Sequence, residues 1–334
     1  MVIASGLGAQ VCFAAESTYG TYVAGTKFAE VEKFEIKPNF NRVQGGGLAA
    51  GRQIPLTSRY VETSRDATAS VDMEVTNKGM GLLLQSLMGT TVTPVQQAAT
   101  TAYLQTHTLG DPRGKSLSFQ VGIPEIGVSS ATSRPYTLVG SKVTQIEFSA
   151  AVDEILTAAI DLDCQDSTEA QTLVAASYPT TIAPFHWGQA AVKIGEFNSE
   201  AAVDSVKSFS LTVGRAQNTE RFYMGNSGLK REPVLNDWQE FTGTLNADFV
   251  DKTMFSDRYR ATTPFSLIVE FVGPLIASTY HETIRFKMPA CVIDEDAPPL
   301  DGPDVINTDF NYRVLNDGTN APLTIEYMST DVTL

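Results

Sequence analysis

From Ala67 to Val75 every second residue is apolar: Ala67, Ala69, Val71, Met73 and Val75 alternate with Thr, Ser, Asp and Glu. A period of two predicts a strand with one dry face and one wet face. The alternation stops at Thr76 and Asn77, and Met80, Leu82, Leu83, Leu84, Leu87 and Met88 then follow at helical spacing. Asn77 suits the N-cap of that helix, because its side-chain oxygen can accept from a free first-turn amide, and Gly89 suits the C-terminal stop. The unit returns at residues 241–261. There Phe241, Leu245, Ala247 and Phe249 alternate with polar residues, Asp251 takes the capping place, and Met254, Phe255, Arg258 and Tyr259 follow. Leu245 minus Val71, Phe249 minus Val75 and Asp251 minus Asn77 each give 174, a match of pattern that points to an internal duplication.

The same periodicity places the other strands. Phe34, Ile36, Pro38 and Phe40 are two apart, and Pro38, which has no amide donor, marks this strand as an edge. Leu117, Phe119 and Val121 alternate and stop at Gly122 and Pro124, and Leu267, Val269 and Phe271 alternate and stop at Gly273 and Pro274. Strands are expected through Tyr136–Phe148 and Ile155–Cys164, and in the second half at Phe209–Val213, Ile284–Phe286 and Phe310–Val314. Two long irregular segments interrupt them, 42–65 and 214–237, and Thr90–Gly114 reads as a further polar connection. Residues 1–27 are small and poor in charge, which suits an extended arm or edge strand. The expected organisation is an arm over 1–27, a first domain over 28–166, a linker over 167–185 and a second domain over 186–334.

Charge sharpens the two irregular segments. The chain of 334 residues carries 24 Lys and Arg against 38 Asp and Glu, a net −14. Such a balance excludes a protein that wraps nucleic acid by neutralising phosphates. Within this acidic chain Arg42, Arg52, Arg59 and Arg65 gather with Tyr60 on one irregular segment, and Arg215, Arg221, Lys230 and Arg231 gather on the other. A connection beyond about 15 residues without regular structure is usually functional, so these residues are candidate contact residues.

No catalytic constellation is present. His107, His186 and His281 stand apart with no second ligand at zinc spacing, and the Gly6–Gly8 pair and the triple glycine at 45–47 lack the rest of a nucleotide-binding motif. Asp294, Glu295, Asp296, Asp301 and Asp304 crowd a Pro-rich turn without EF-hand spacing, which reads as a solvated acidic loop. Cys12, Cys164 and Cys291 are odd in number and far apart, as buried small residues are and disulfide frameworks are not. Neither a basic-then-apolar leader nor an 18-residue apolar span occurs, so a protein made and kept in a cytoplasm is expected. No enzyme, cofactor or metal is expected.

The ordered run KFEIKPNF, the irregular segment, SRDATASVDMEV, GMGLLLQSLMG, KSLSFQVGI, TLVGSKVTQIEF and ILTAAIDLDC resembles the major tail tube proteins of long-tailed, non-contractile phages. The opening GAQVCFAAESTYGTYVAG is similar to the start of such proteins from phages of actinobacteria. No short motif carries this likeness; the order of elements over most of the chain does. It implies an all-β protein of two tandem tail-tube-type sandwiches, each with one short helix, whose inner sheets join those of neighbours into a ring-shaped barrel. Rings then stack into a tube through which DNA passes without specific binding, with the long loop and terminal arms reaching from ring to ring. Duplicated chains of this kind close with three copies that mimic six, six copies being the alternative. The tape measure protein, tail terminator and distal tail proteins are the implied partners, the virion tail is the implied location, and no membrane is involved. On an inner sheet, Asp72, Glu74, Asp161 and Asp163 would be candidates for an acidic wall that repels phosphates. The competing reading is a phage sandwich module that recognises carbohydrate or a host surface; with only Trp187 and Trp238 as tryptophans, the chain shows little of the exposed aromatic cluster such a module needs.

Overall fold

The computed structural model describes residues 6–125, 133–250, 256–261, 263–294, 302–303 and 305–334. The expected cap Asp251, the helix residues Met254 and Phe255, and Glu295, Asp296, Asp301 and Asp304 of the acidic turn lie outside the described residues. The first half of the chain carries β1 (Gln10–Ala15), β2 (Lys27–Ala29), β3 (Lys33–Gln44), β4 (Tyr60–Glu74), α1 (Gly81–Met88), β5 (Val95–Gln96), β6 (Tyr103–Thr108), β7 (Leu117–Pro124), β8 (Ser133–Ala150), β9 (Thr157–Cys164) and β10 (Asp166–Thr168). The second carries β11 (Ala190–Gly195), β12 (Ala201–Ala202), β13 (Val206–Gly214), β14 (Gln217–Asn218), β15 (Val234–Leu235), β16 (Glu240–Asp248), α2 (Ser256–Ala261), β17 (Phe265–Ala277), β18 (Tyr280–Ile293), β19 (Asn307–Val314) and β20 (Thr324–Ser329).

One antiparallel pairing scheme occurs twice. In the first half the order is β2–β1–β7–β8–β9–β4–β3, with β10 also on β8. In the second it is β12–β11–β17–β18–β19–β16–β13, with β20 also on β18. Register matches too: Val71 of β4 faces Phe34 and Ile160, while Leu245 of β16 faces Phe209 and Phe310. The strands β8 and β18 turn the corner from one layer to the other. Residues 133–141 of β8 pair with β7 and residues 142–149 with β9. Phe34 meets Phe119 across the layers of the first half at 6.0 Å between ring centroids, and Phe209 meets Phe286 in the second at 5.7 Å. Each half is thus a two-layer sandwich with its alternating apolar residues turned inward.

The halves join edge to edge. β13 pairs with β8 from Phe209↔Ala150 to Gly214↔Gln145, which makes one sheet in the order β3–β4–β9–β8–β13–β16–β19–β18. This sheet is open: among the described residues β3 pairs only with β4, and no single-chain barrel closes. Because β3 lacks a second neighbour, Phe34 and Ile36 are only partly buried, whereas Phe209 and Leu211, at the matching places in β13, are buried.

Three expectations change. Helix α1 has Met80, not Asn77, at its N-cap, with no side-chain cap. Asn77 instead receives the Ala183 amide at 2.9 Å and donates to Glu282 at 2.7 Å, which ties the halves together. Gly89 does close the helix, at φ 89°, its amide bonding to the Gln85 carbonyl. The polar connection 90–114 contains β6, which adds to β20 of the other half from Thr108↔Thr324 to Tyr103↔Ser329. Its inward positions are Gln105 and His107, both fully buried, so no apolar alternation announces it. Residues 10–15, expected as part of an extended arm or edge strand, pair on both sides, with β2 and β7.

Candidate subunit interface

The exposed features of the molecule lie around the wet face of the joined sheet and the two basic segments. On β4, Asp72 and Glu74 fall between the buried Val71, Met73 and Val75 and stay half-exposed, and Asp161 of β9 is exposed opposite Ser70. Along β13, β16 and β19 the same face carries Ser210, Thr212, Thr244, Asn246 and Asn311, bonded across strands by Thr244 to Asn311 at 2.8 Å and Asn246 to Asn307 at 2.6 Å. The face is charged on the first half, where Lys33, Glu35 and Lys37 of β3 stand beside these acids, and mostly polar on the second, where Asp309 lies opposite Asn246. Asp163 follows Asp161 on the same side of β9, opposite Thr68, but is buried.

The segment 42–65 is less irregular than its glycines imply. β3 and β4 run on past the sandwich as a hairpin whose pairing reaches Gln44↔Tyr60, leaving the turn to residues 45–59. Nothing among the described residues covers it: Phe40, Val43, Leu48, Ile54, Leu56, Tyr60 and Val61 are exposed, Leu48 completely. Arg42, Arg52 and Arg59 stand out in solvent; Arg42 reaches Glu62 only at 4.0 Å, and Arg52 and Arg59 have no acid partner among the described residues. Arg65 differs. Its Nε donates to both oxygens of Asp166 at 3.1 Å, so this candidate contact is engaged within its own chain.

The segment 214–237 does the opposite. Its ladder shrinks to Gln217↔Leu235 and Asn218↔Val234, and the rest crosses onto the first half as a strap. There the Arg65 amide donates to the Gly228 carbonyl at 3.0 Å, and Gln165 donates to the Lys230 carbonyl at 2.9 Å. Lys230 is fully buried and bonds Asp163 at 2.5 Å and Asp66 at 3.3 Å. In return Lys142 of the first half, also fully buried, donates to Glu232 of the strap at 3.0 Å. Arg215 is buried and donates to the Gly110 carbonyl, and Arg221 donates to the Glu232 carbonyl. Of the four basic candidates here only Arg231 is exposed. Lys230 was legible as a loop cation, but its carboxylate partners come from strands more than 60 residues away.

Burial dominates the electrostatics of the strap. Loss of water pushes the Asp163 carboxyl up to about 6 against the attraction of Lys230, and lowers Lys142 and Arg215, the latter to about 10. Ions taken out of water cost several kcal/mol each and are tolerated only when paired and hydrogen-bonded. Asp163 Oδ1 and Lys230 pair in that way, while Asp163 Oδ2 is buried with no hydrogen-bond partner among the described residues, and removing either residue strands the other.

Other candidates for chemistry are spent on structure. His107 is buried and pushed down to about 4, His281 bonds the Gly273 carbonyl at 3.0 Å, and all three cysteines are buried. Asp294 pairs with Arg313 at 2.9 Å. Glu16, which the sequence did not single out, is buried and receives the Gly20 and Gly140 amides and the Ser116 and Ser118 hydroxyls at 2.8–2.9 Å. Among the described residues no group of His, Cys, Asp and Glu is arranged to hold a metal ion, and no helix is long and apolar enough to cross a membrane.

Comparison with known proteins adds one match. The family model described as phage tail tube protein matches residues 6–314. No curated protein matches the chain.

Proposed function

The chain belongs to the phage tail tube protein family, a structural family of the virion tail, and we propose that its copies close into rings that stack as the hollow tube for DNA passage. One observation carries this reading. The joint β8–β13 inside the chain has no counterpart at β3, whose outer edge is open and whose Phe34 and Ile36 are left partly bare. A second copy that repeats the joint at β3 would continue the sheet and remove the edge. The twofold recurrence of the pairing scheme supports two tube-type domains per chain, so three copies supply six sandwiches. Asp72, Glu74 and Asp161 would then stand on the lumen face and keep phosphates from adhering.

Electron microscopy of the purified protein tests this. Hollow polymers whose rings have threefold symmetry with six similar lobes are expected. True sixfold symmetry at domain resolution would replace three copies by six, and particles that remain single chains at all concentrations would end the tube reading.

A further inference from the structure

Resting on the ring reading, we propose that the hairpin 40–65 of one copy clamps the second half of its neighbour within the same ring, in the seat that the strap occupies within the chain. Hairpin and strap are counterparts at their bases: Val43↔Val61 in one and Gln217↔Leu235 in the other, each residue shifted by 174. The strap crosses in the direction of the β13–β8 joint, from the second half onto the first. A copy joined at β3 would send its hairpin the same way, onto the second half next to it.

The seat on that second half follows by the same shift. Under the strap lie Thr63, Ser64 and Asp66 of β4 and Gln165 after β9. Adding 174 to the first three gives Asp237, Trp238 and Glu240. The shift from Ile160 to Phe310, 150, takes Gln165 to Leu315. All four are uncovered: Asp237 and Glu240 are exposed, Trp238 is 90% exposed and Leu315 40%. Asp237, Trp238 and Glu240 also wall an open groove of ≈ 630 Å³. Two acids beside a bare tryptophan and a bare leucine complement a hairpin that presents Arg52 and Arg59 with Leu48, Ile54 and Leu56. The chain's own hairpin does not serve this seat, since hairpin and seat are both left exposed within one chain. The occupant is a second copy.

Within the chain Gly228 packs on Thr63, with the carbonyl oxygen of Thr63 only 2.8 Å from where a Gly228 Cβ would stand. The matching pair across copies is Ile54 and Asp237, both exposed. Tubes of the double variant Ile54→Cys, Asp237→Cys are oxidised and run on a non-reducing gel, with each single variant as control; the native cysteines are buried. The expected result is loss of most of the monomer band to a ladder that ends at the copy number of one ring. A ladder running past that number would place the hairpin between rings and overturn the proposal, and so would intact tubes with no linked chains. Failure of wild type to form tubes would instead remove the ring reading, and the clamp with it.

Discussion

The hairpin between β3 and β4 and the strap between β13 and β16 begin from matching ladders, yet one stands bare in solvent and the other lies across the chain with its lysine buried. Both are long, basic and glycine-bearing. The difference arises where each ladder could continue. In the hairpin the pairing carries on through one irregularity at Asn41/Arg42 as far as Gln44. In the strap it lapses at Arg215, whose side chain turns inward to the Gly110 carbonyl, and the freed segment finds Asp66, Asp163 and Lys142 within reach. A basic loop therefore becomes core or surface according to whether carboxylates of the neighbouring half wait beneath it. The hairpin has such a half only if another copy supplies it.

The contrast breaks most sharply at Lys230. Replacing it by alanine strands Asp163 and should cost about 3–5 kcal/mol, read as a lowered urea midpoint. The double variant Lys230→Met, Asp163→Leu should recover most of that. A loss below about 1 kcal/mol for the alanine variant would mean that the buried pair does not hold the strap.

Asp163 gives the next largest effect, and its sign follows from burial. An aspartate raised from its usual value near 4 to about 6 binds its proton more readily folded than unfolded. Its contribution therefore favours the folded state below pH 4 and is lost as pH rises through 6, by at most about 3 kcal/mol. Relative to Asp163→Asn, wild type should lose stability between pH 4 and pH 6; parallel stability curves for the two proteins would contradict this.

Arg65 is intermediate between the two loops, being on the hairpin strand but paired within the chain, with its side chain 39% exposed against 18% for Asp166. Arg65→Ala should cost at most about 1 kcal/mol, discounted for solvent screening, in thermal unfolding. A larger loss would make the hairpin base part of the strap's anchorage.

Arg52 and Arg59 lie at the other extreme. Reversing both to glutamate should change stability by less than about 0.5 kcal/mol, while polymer yield by sedimentation falls sharply. Normal polymerisation of the pair would leave the hairpin a solvated loop.

Much of this molecule is written in its alternation. The dry faces of β4, β7, β13, β16 and β17 follow from residues two apart, because one buried sheet face is enough to fix register. Gly89 is a helix stop by its own conformational freedom, φ 89° being a region that other residues rarely adopt. The likeness of the two halves was visible at Val71 and Leu245. By contrast β6 turns Gln105 and His107 inward, and Asn77, a good cap by local chemistry, is claimed by Ala183 and Glu282 instead. Those outcomes depend on partners 100 or more residues away.

What the sequence determined by itself is the alternating strands, their dry faces, the repeat and the acidic balance, since these rest on near-neighbour periodicity and on summed charge. Tertiary structure decided which basic segment is tied down and which is free, and that one sheet edge is left open. Coulombic pairing and desolvation act over a few ångströms in space, and only the fold brings Lys230 to Asp163 while leaving Arg52 without an acid and the outer edge of β3 without a strand among the described residues.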